Sequence, residues 1–279
     1  MNSHADLIEL ALREDIGPGD VTTDNLVPPH RQGRGVIWTK EPLVIAGLDV
    51  ARQVFETLSP DHLNFETNCR DGDFLTAGVS VLVVEGPLKT LLMGERTALN
   101  FIQRLSGIAT HVRRYVEMLG SRPVRLVDTR KTTPGWRVLE KYAVRVGGAR
   151  NHRMGLYDGV LIKDNHIAVC GSIEAAVAAV RSRISHLVKI EVEASDLNQV
   201  SEALAARADT IMLDNMDIEQ IRQAVQLVNR RALVEVSGGV TRDNLLLLAD
   251  SGVDLISVGA LTHGARGVDL SMRIDDTDS

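Results

Sequence analysis

Hydrophobic positions in the first 120 residues follow helical spacing in some stretches and strand spacing in others, which predicts a mixed α/β unit. Residues 5–16 carry apolar side chains at helical spacing, and the turn Gly17-Pro18-Gly19 follows them. Residues 33–48 are typical of strands that Glu41-Pro42 interrupts. The other elements predicted in this part are a helix over 50–58, a nearly all-apolar buried strand over 79–84, and a helical stretch over 89–119 with a break near Ser106-Gly107.

After residue 120 the pattern changes to short apolar strands, most of them separated by helical stretches. The six strand sequences are VRLVDTRK (124–131), DGVLIKDNH (158–166), HLVKIEVEA (186–194), DTIMLDN (209–215), ALVEVSGG (232–239) and DLISVGA (254–260). Helices are predicted over 172–184, 195–207, 217–228 and 241–251, with candidate N-caps at Ser172, Ser195, Asp217 and Thr241. Such alternation indicates βα units and a parallel sheet. Because the chain has no glycine-rich dinucleotide fingerprint, the pattern favours a barrel over an open doubly wound sheet.

Composition excludes several classes of protein. The 279 residues are 44% hydrophobic and 24% charged, which is ordinary for a globular chain able to bury a full core. Only 3% are aromatic and the formal net charge is −6, so nucleic acid is not an expected partner. No apolar run reaches the roughly 20 residues of a membrane helix, and MNSHADLIEL does not resemble a signal peptide. With two isolated cysteines, Cys69 and Cys170, the expected location is the cytoplasm.

One stretch of this acidic chain carries an excess of positive charge. Residues 125–153, called the cationic segment below, hold eight Lys or Arg against two carboxylates, a formal local charge of +6. A solvated helical face is the plain interpretation. Cations in adjacent pairs, Arg130-Lys131 and His152-Arg153, and interruptions at residues 132–135 and Gly147-Gly148 favour an anion-binding site instead.

Reactive side chains gather at the carboxyl ends of the predicted strands, where a βα barrel carries its active site. Alternation along the third strand places Lys189, Glu191 and Glu193 on one face. The strand ends supply these candidate residues: Asp128, Arg130 and Lys131; Lys163; Glu193; Asp214; Ser237, Gly238 and Gly239; and Gly259 with His263.

Each group of candidates has a chemical use. Glycine turns at helix N-termini bind phosphate through backbone N–H groups, and arginines clamp carboxylates. Glu193 and Asp214 could hold Mg²⁺ through oxygen ligands, with waters and substrate phosphates completing its shell. Simpler interpretations are helix caps and ion-pair partners for the carboxylates, and an ordinary turn for residues 237–239. Lys163 is also placed where a Schiff-base lysine would lie, if it were desolvated.

Over nearly its whole length the chain resembles the quinolinate phosphoribosyltransferase family, the decarboxylating nicotinate-nucleotide pyrophosphorylases. The matching motifs are EDIGPGDVTT (14–23), ERTALNFIQRLSGIAT (95–110), DTRKTTPGWR (128–137), EKYAVRVGGARNHRMGLYDGVLIKDNH (140–166), IMLDN (211–215) and EVSGGV (235–240). The resemblance implies an N-terminal α/β sandwich domain over residues 1–110. An incomplete (β/α) barrel of about six or seven parallel strands would follow over 111–279, with the option that the last residues return to the first domain.

The activity implied by the resemblance is that of a pentosyltransferase of NAD biosynthesis. Quinolinate and phosphoribosyl pyrophosphate would give nicotinate mononucleotide, pyrophosphate and CO₂, with Mg²⁺ as cofactor. Arg130, His152 and Arg153 would bind the substrate carboxylates, and Arg96 would reach in across a homodimer interface. The other implied assignments are Lys131 and Lys163 between the two substrates; Glu193 and Asp214 at the ribose and, indirectly, the metal; and Ser237, Gly238, Gly259 and His263 at the 5′-phosphate. The choice of Glu193 over Glu191 is left open by the sequence, since both share one face.

Two alternatives remain at the level of sequence. The first is a paralogue on the same scaffold, either a nicotinate phosphoribosyltransferase or the pyrophosphorylase-like protein of molybdate operons. His152-Arg153 and Arg96 favour a dicarboxylate substrate over these. The second is a polyanion-binding module without catalysis, which predicts steep salt dependence of binding and fits poorly with a pI near 5.8.

Overall fold

A computed structural model describes residues 3–275 of the chain. It contains two compact units, each of which is discontinuous in sequence. The first unit comprises the residues up to Arg113, Thr133–Gly148, and the residues from Gly264 onward. Arg114–Thr132 and Ala149–His263 make up the second unit. The cationic segment is therefore divided between the two.

The first unit is built on an antiparallel sheet. Its elements are α1 (Ser3–Ile16), α2 (Val21–Leu26), β1 (Gln32–Thr39), β2 (Leu43–Val44), α3 (Leu48–Leu58), β3 (Asn64–Glu66), β4 (Phe74–Leu75), β5 (Ser80–Pro87), most of α4 (Leu88–Leu119), α5 (Arg137–Val146) and β12 (Leu270–Asp275). The four-stranded sheet has the order β12-β1-β5-β3, and β2 pairs with β4. Four apolar side chains of β5, Val81 to Val84, are buried, which confirms the predicted buried strand. The interruption at Glu41-Pro42 is also confirmed, because it separates β1 from β2.

Helix α4 runs without interruption from Leu88 to Leu119, so the predicted break near Ser106-Gly107 is wrong. Ser106 accepts a hydrogen bond from Ala46 N (2.9 Å) and donates one to Ala46 O (3.1 Å), so its hydroxyl serves a neighbouring segment. A Cβ on Gly107 would overlap the carbonyl oxygen of Arg266. This glycine permits close approach between two segments and does not end the helix. Within residues 3–275, no helix is long and apolar enough to cross a membrane.

The second unit alternates strands and helices. Its elements are β6 (Arg125–Val127), β7 (Val160–Ile162), α6 (Asp164–Cys170), α7 (Ile173–Arg181), β8 (Ile190–Ala194), α8 (Leu197–Ala205), β9 (Thr210–Asp214), α9 (Ile218–Val228), β10 (Leu233–Ser237), α10 (Arg242–Ala249), β11 (Leu255–Ser257) and α11 (Ala260–His263). The six strands pair in parallel in the order β6-β11-β10-β9-β8-β7. Beside β6, Arg150 adds a single parallel bridge to Val127. A six-stranded parallel sheet with this order confirms the predicted α/β class and incomplete barrel.

Helix caps explain where the later helices begin. Ser172, Asp217 and Thr241 are N-caps, as predicted. The prediction of Ser195 is wrong by one residue. Asp196 is the N-cap of α8, and its carboxylate accepts a hydrogen bond from Gln199 N (2.9 Å) while the Gln199 side chain accepts one from Ser195 N (2.8 Å). The carboxylate also lies at the positive end of the helix dipole, which stabilises it there.

Candidate active site

A cavity of about 800 Å³ lies at the carboxyl ends of the parallel strands in the second unit. Because all six strands run in the same direction, their ends converge there, as the barrel prediction requires. The predicted site residues that line it are Arg130, Lys131, His152, Arg153, Lys163, Glu193, Asp214, Ser237, Gly238, Gly259 and His263. Arg96 is exposed on α4 in the first unit and is not part of this lining.

The ends of the neighbouring strands β9 and β10 meet at the cavity. Asp214 and Ser237 are register partners at the ends of β9 and β10, and Asn215 N donates to Ser237 O (3.1 Å). Gly238 has φ +87°, and a Cβ there would overlap the side chain of Asn215. Glycine is thus required at this position by both the backbone conformation and the space. The result is an exposed backbone turn next to a carboxylate.

Gly259 brings a second glycine turn to the cavity. A Cβ on it would lie 2.9 Å from Lys131 Cδ and 3.3 Å from His263 Nε2. The Thr262 hydroxyl donates to Lys131 O (2.8 Å) and to Gly259 O (3.0 Å). These contacts hold Lys131, Gly259 and His263 together at the end of β11. The side-chain nitrogens of Lys131 and His263, together with the two glycine turns, provide hydrogen-bond donors that suit a phosphate group.

The carboxylates of the site are not equivalent. Glu193 lines the cavity and forms an ion pair with Lys163, whose side chain is 45% exposed. Glu191, two residues earlier on β8, is 8% exposed and lies against His152. The exposure of Lys163 and its pairing with Glu193 remove the desolvation that a Schiff-base lysine requires.

Two arginines, Arg130 and Arg153, also line the cavity. Arg153 donates to Gly159 O (3.0 Å), and Arg130 lies close enough to interact with it electrostatically. Burial lowers the pKa of the Arg153 guanidinium, and the positive charge of Arg130 lowers it further. Asp128, which is fully buried, accepts hydrogen bonds from His152 N (2.8 Å) and from the Asn151 side chain (2.6 Å). This aspartate fixes the chain where it returns to the cavity, so both arginines face the same space.

Part of the cationic segment lies elsewhere. Residues 133–148, which include α5, belong to the first unit, and Lys141 is fully buried there. Glu140, also fully buried, pairs with Arg104 (2.8 Å). The middle of the segment therefore lies outside the candidate anion site. Only its two ends, at Arg130-Lys131 and His152-Arg153, line the cavity.

The sequence reasoning missed Glu235. It lies in the middle of β10, is 2% exposed and lines the floor of the cavity. Its carboxylate, that of Glu191 and the ring of His152 come within 4.8 Å of one another. Burial, and then the charge of Glu191, raises the pKa of Glu235 to about 7. The signal available in the sequence was one charged residue between Val234 and Val236 in an otherwise apolar strand.

Replacing Glu235 with glutamine should stabilise the protein at about pH 8 by more than at about pH 5. A carboxyl whose folded pKa is raised from 4.5 to about 7 contributes stability through its bound proton. That contribution is complete below the unfolded pKa and is lost as the pH rises through the folded pKa. The glutamine side chain does not ionise, so the variant does not lose this stability as the pH rises. Melting temperatures of both proteins at the two pH values measure the effect, and an equal difference at both would contradict the raised pKa.

A larger cavity of about 1120 Å³ lies at the other ends of the same strands. Asp209 and Asp254 line it, and their carboxylates accept backbone N–H groups of Ile190 (3.0 Å) and Val234 (2.8 Å). These contacts tie neighbouring strands together. Since the amino-terminal face of a barrel stabilises the fold whereas the carboxyl-terminal face carries the chemistry, the smaller cavity is the candidate active site.

Comparison with known proteins agrees with the geometry. Residues 20–106 match the family described as "Quinolinate phosphoribosyl transferase, N-terminal domain", and residues 108–273 match its C-terminal domain. The chain is 48% identical over 267 residues to the "Probable nicotinate-nucleotide pyrophosphorylase [carboxylating]" of Synechocystis sp., covering 94% of this chain and 90% of that protein. It is also 43% identical over 272 residues to the "Nicotinate-nucleotide pyrophosphorylase [carboxylating]" of Mycobacterium leprae, covering 96% of this chain and 95% of that protein.

A solved structure shows the same architecture. The crystal structure of NadC from Streptococcus pyogenes superimposes with a TM-score of 0.93 at 42% identity, covering 97% of this chain and 95% of that one. The two family matches together span most of the sequence, and they include every predicted site residue. This chain belongs to the quinolinate phosphoribosyl transferase family.

Proposed function

We propose that the protein transfers the phosphoribosyl group of phosphoribosyl pyrophosphate to quinolinate and decarboxylates the product. The products are nicotinate mononucleotide, pyrophosphate and CO₂, which places the enzyme in the de novo synthesis of NAD. One observation carries the proposal: a single cavity is lined by paired arginines, by strand-end carboxylates and by glycine turns. A dicarboxylate and a sugar phosphate together need both anion-binding side chains and phosphate-binding turns.

Quinolinate binds to the two arginines. Arg130 and Arg153 are planar donors that can bind carboxylates through two parallel hydrogen bonds, with His152 beside them. The mutual repulsion that lowers the pKa of Arg153 is relieved when a dianion lies between the two guanidinium groups. Lys131 and Lys163 also line the cavity, and we assign them to the junction of the two substrates.

Phosphoribosyl pyrophosphate binds to the glycine turns and the strand-end carboxylates. Ser237, Gly238, Gly259 and His263 receive its 5′-phosphate, and Glu193 and Asp214 accept hydrogen bonds from the ribose hydroxyls. The donor set also fits Mg²⁺, because both carboxylates line the cavity and are hard oxygen ligands. Mg²⁺ held there through water or substrate would neutralise charge on the departing pyrophosphate.

The residues favour charge separation in the transition state. The pyridine nitrogen forms a bond to ribose C1 while the bond from C1 to pyrophosphate breaks, so positive charge develops on the sugar. Asp214 and Glu193 stabilise that charge, and Lys131 and Lys163 stabilise the negative charge of the leaving group. The nitrogen is then quaternary and withdraws electrons. The bond from C2 to its carboxylate breaks, CO₂ leaves, and the electron pair on C2 takes a proton.

A homodimer completes this site. Arg96 is an exposed cation of the first unit. We assign it to the quinolinate site of the partner subunit. Exposed apolar side chains on the second unit, among them Leu156, Tyr157 and Val169, offer a surface for the second copy. We place the enzyme in the cytoplasm, since Cys69 and Cys170 are both free thiols.

Replacing Arg96 with alanine should raise the KM for quinolinate by about tenfold or more and leave the KM for phosphoribosyl pyrophosphate nearly unchanged. The loss removes a charge-assisted hydrogen bond from one substrate only. Initial rates with each substrate varied in turn separate the two constants. Arg114→Ala, an exposed arginine further along the same helix, is the matched control. Equal effects on both constants would contradict the assigned role.

Release of labelled CO₂ tests the proposed reaction. Quinolinate that carries a labelled carboxyl carbon at C2 should lose it only when phosphoribosyl pyrophosphate and Mg²⁺ are both present. Release without phosphoribosyl pyrophosphate, or none under any condition, would overturn the proposal.

A further inference from the structure

Both ring nitrogens of His152 are engaged by the protein itself. Nδ1 lies 2.8 Å from the backbone nitrogen of Arg153, and Nε2 lies 2.9 Å from Oε2 of Glu191. A second carboxylate, Oε1 of Glu235, lies 3.6 Å from the same Nε2. A histidine that simply bound a substrate carboxylate would direct one of its nitrogens into the cavity.

These contacts define the tautomer. A backbone N–H can only donate, so Nδ1 must present its lone pair to Arg153 N and carries no proton. Nε2 then carries the ring proton and donates it to Glu191. His152 is therefore a neutral imidazole, although it belongs to a segment in which the sequence suggests a cation.

The two glutamates are otherwise difficult to explain. They are 8% and 2% exposed. Glu235 lines a cavity that also carries two arginines and two lysines, and Glu191 lies against His152, which lines the same cavity. Among the described residues, one oxygen of each carboxylate is buried without a hydrogen-bond partner. Buried carboxylates oppose the binding of a dianion, so an arrangement of this kind requires a compensating use.

We propose that Glu191 and Glu235 are positioning residues that fix His152 as the neutral Nε2–H tautomer and, through its Nδ1, set Arg153 for the dicarboxylate. The inference rests on the proposed function for its substrate. Glu191 accepts the ring proton from Nε2, and the Glu235 carboxylate lies 3.6 Å from the same nitrogen. Arg153, held at its backbone by His152 and at its guanidinium by Gly159 O (3.0 Å), presents its remaining donors to quinolinate. His152 thereby acts through Arg153.

Nitrogen-15 NMR of the histidine rings tests the tautomer without any substrate. In the intact protein, two-bond spectra should show His152 with a protonated Nε2 and an unprotonated Nδ1 near neutral pH; a His152→Gln spectrum assigns the signal. Glu191→Gln should change the ring signals, because an amide can donate to Nε2 as well as accept from it. A protonated Nδ1 in the intact protein, or an unchanged signal in Glu191→Gln, would overturn the proposal.

Kinetics test the consequence for the substrate. Glu191→Gln and Glu235→Gln should each raise the KM for quinolinate by about tenfold or more and change that for phosphoribosyl pyrophosphate by less than about twofold. Glu202→Gln, an exposed position on α8, is the matched control and should change neither. If Glu191→Gln does not fold, as judged by its melting temperature, Glu235→Gln carries the test alone. Equal changes in both KM values, or none, would overturn the positioning role.

The proposed function and the positioning role can be contradicted independently of each other. If the intact protein does not convert quinolinate, the proposed function fails, whereas the tautomer measurement stands by itself. If turnover is normal but His152 is a cation, the positioning role fails and the proposed function does not.

Discussion

Replacing Asp214 with asparagine should lower kcat/KM for phosphoribosyl pyrophosphate by about a hundredfold or more, because the change removes a fixed negative charge where the ribose becomes positive. The side chain lies at the end of β9, beside Ser237 and the glycine turn, and its only hydrogen bond among those described comes from Asn215 (3.0 Å). Asparagine has nearly the same shape, so the fold should not change. Initial rates with either substrate varied should show little effect on the KM for quinolinate.

Asp217 provides the matched control. It lies three residues further along and caps α9 by accepting a hydrogen bond from Gln220 N (2.9 Å). Asparagine is as good an N-cap as aspartate, so Asp217→Asn makes the same chemical change outside the cavity and should leave kinetics unaltered. Unchanged kinetics in Asp214→Asn, or an equal loss in both variants, would remove Asp214 from the site.

Replacing Arg104 with methionine should lower the free energy of unfolding by roughly 3–5 kcal/mol, because it leaves the Glu140 carboxylate buried without its cation. Arg104 donates to Glu140 (2.8 Å), which is fully buried and also accepts hydrogen bonds from Thr133 N (3.1 Å) and the Thr133 hydroxyl (2.9 Å). Urea unfolding of the variant and the parent protein measures the loss.

The double variant Arg104→Met/Glu140→Gln distinguishes two causes of the lost stability: the lost attraction between the two charges, and the cost of burying the Glu140 carboxylate without a cation. It should recover part of the lost stability, since no buried charge remains without a partner. Arg70→Met removes an arginine from an exposed ion pair with Asp73 and should cost less than about 1 kcal/mol. If the single variant at Arg104 were as stable as the Arg70 control, the buried pair would not hold this region together.

The same ion pair is linked to the candidate site through the chain. Thr133, which Glu140 holds, follows Lys131 by two residues, and Arg104 also donates to the carbonyl of Ala265, two residues after His263. We expect loss of Arg104 to loosen the chain next to Lys131 and next to His263. Turnover in Arg104→Met should therefore fall at temperatures where the protein remains folded.

Local pattern was enough to predict most of the strands and the edge at which the chemistry lies. Apolar runs separated by capped helices predict parallel βα units, and parallel strands bring their ends together whatever the exact closure of the barrel. For that reason Lys163, Glu193 and Asp214, which are far apart in sequence, share one cavity. The roles of these residues came from the resemblance to a family and stay proposals.

Long-range contacts account for what the sequence could not predict. Ser106-Gly107 has the composition of a helix break, but Ala46 and Arg266 pack against it and the helix continues. Positive charge in the middle of the cationic segment belongs to a helix of the first unit, which no local pattern indicates. The contact between His152 and Glu191 joins residues 39 positions apart, so no local sequence pattern indicates it.

The most direct test of the account is the choice of acceptor. Nicotinate and quinolinate should be supplied separately with phosphoribosyl pyrophosphate and Mg²⁺, with mononucleotide and CO₂ measured in each. The paired arginines that line the cavity predict a dicarboxylate, so quinolinate should give mononucleotide and CO₂ in equal amounts and nicotinate should give neither. Mononucleotide formed from nicotinate alone would contradict the account.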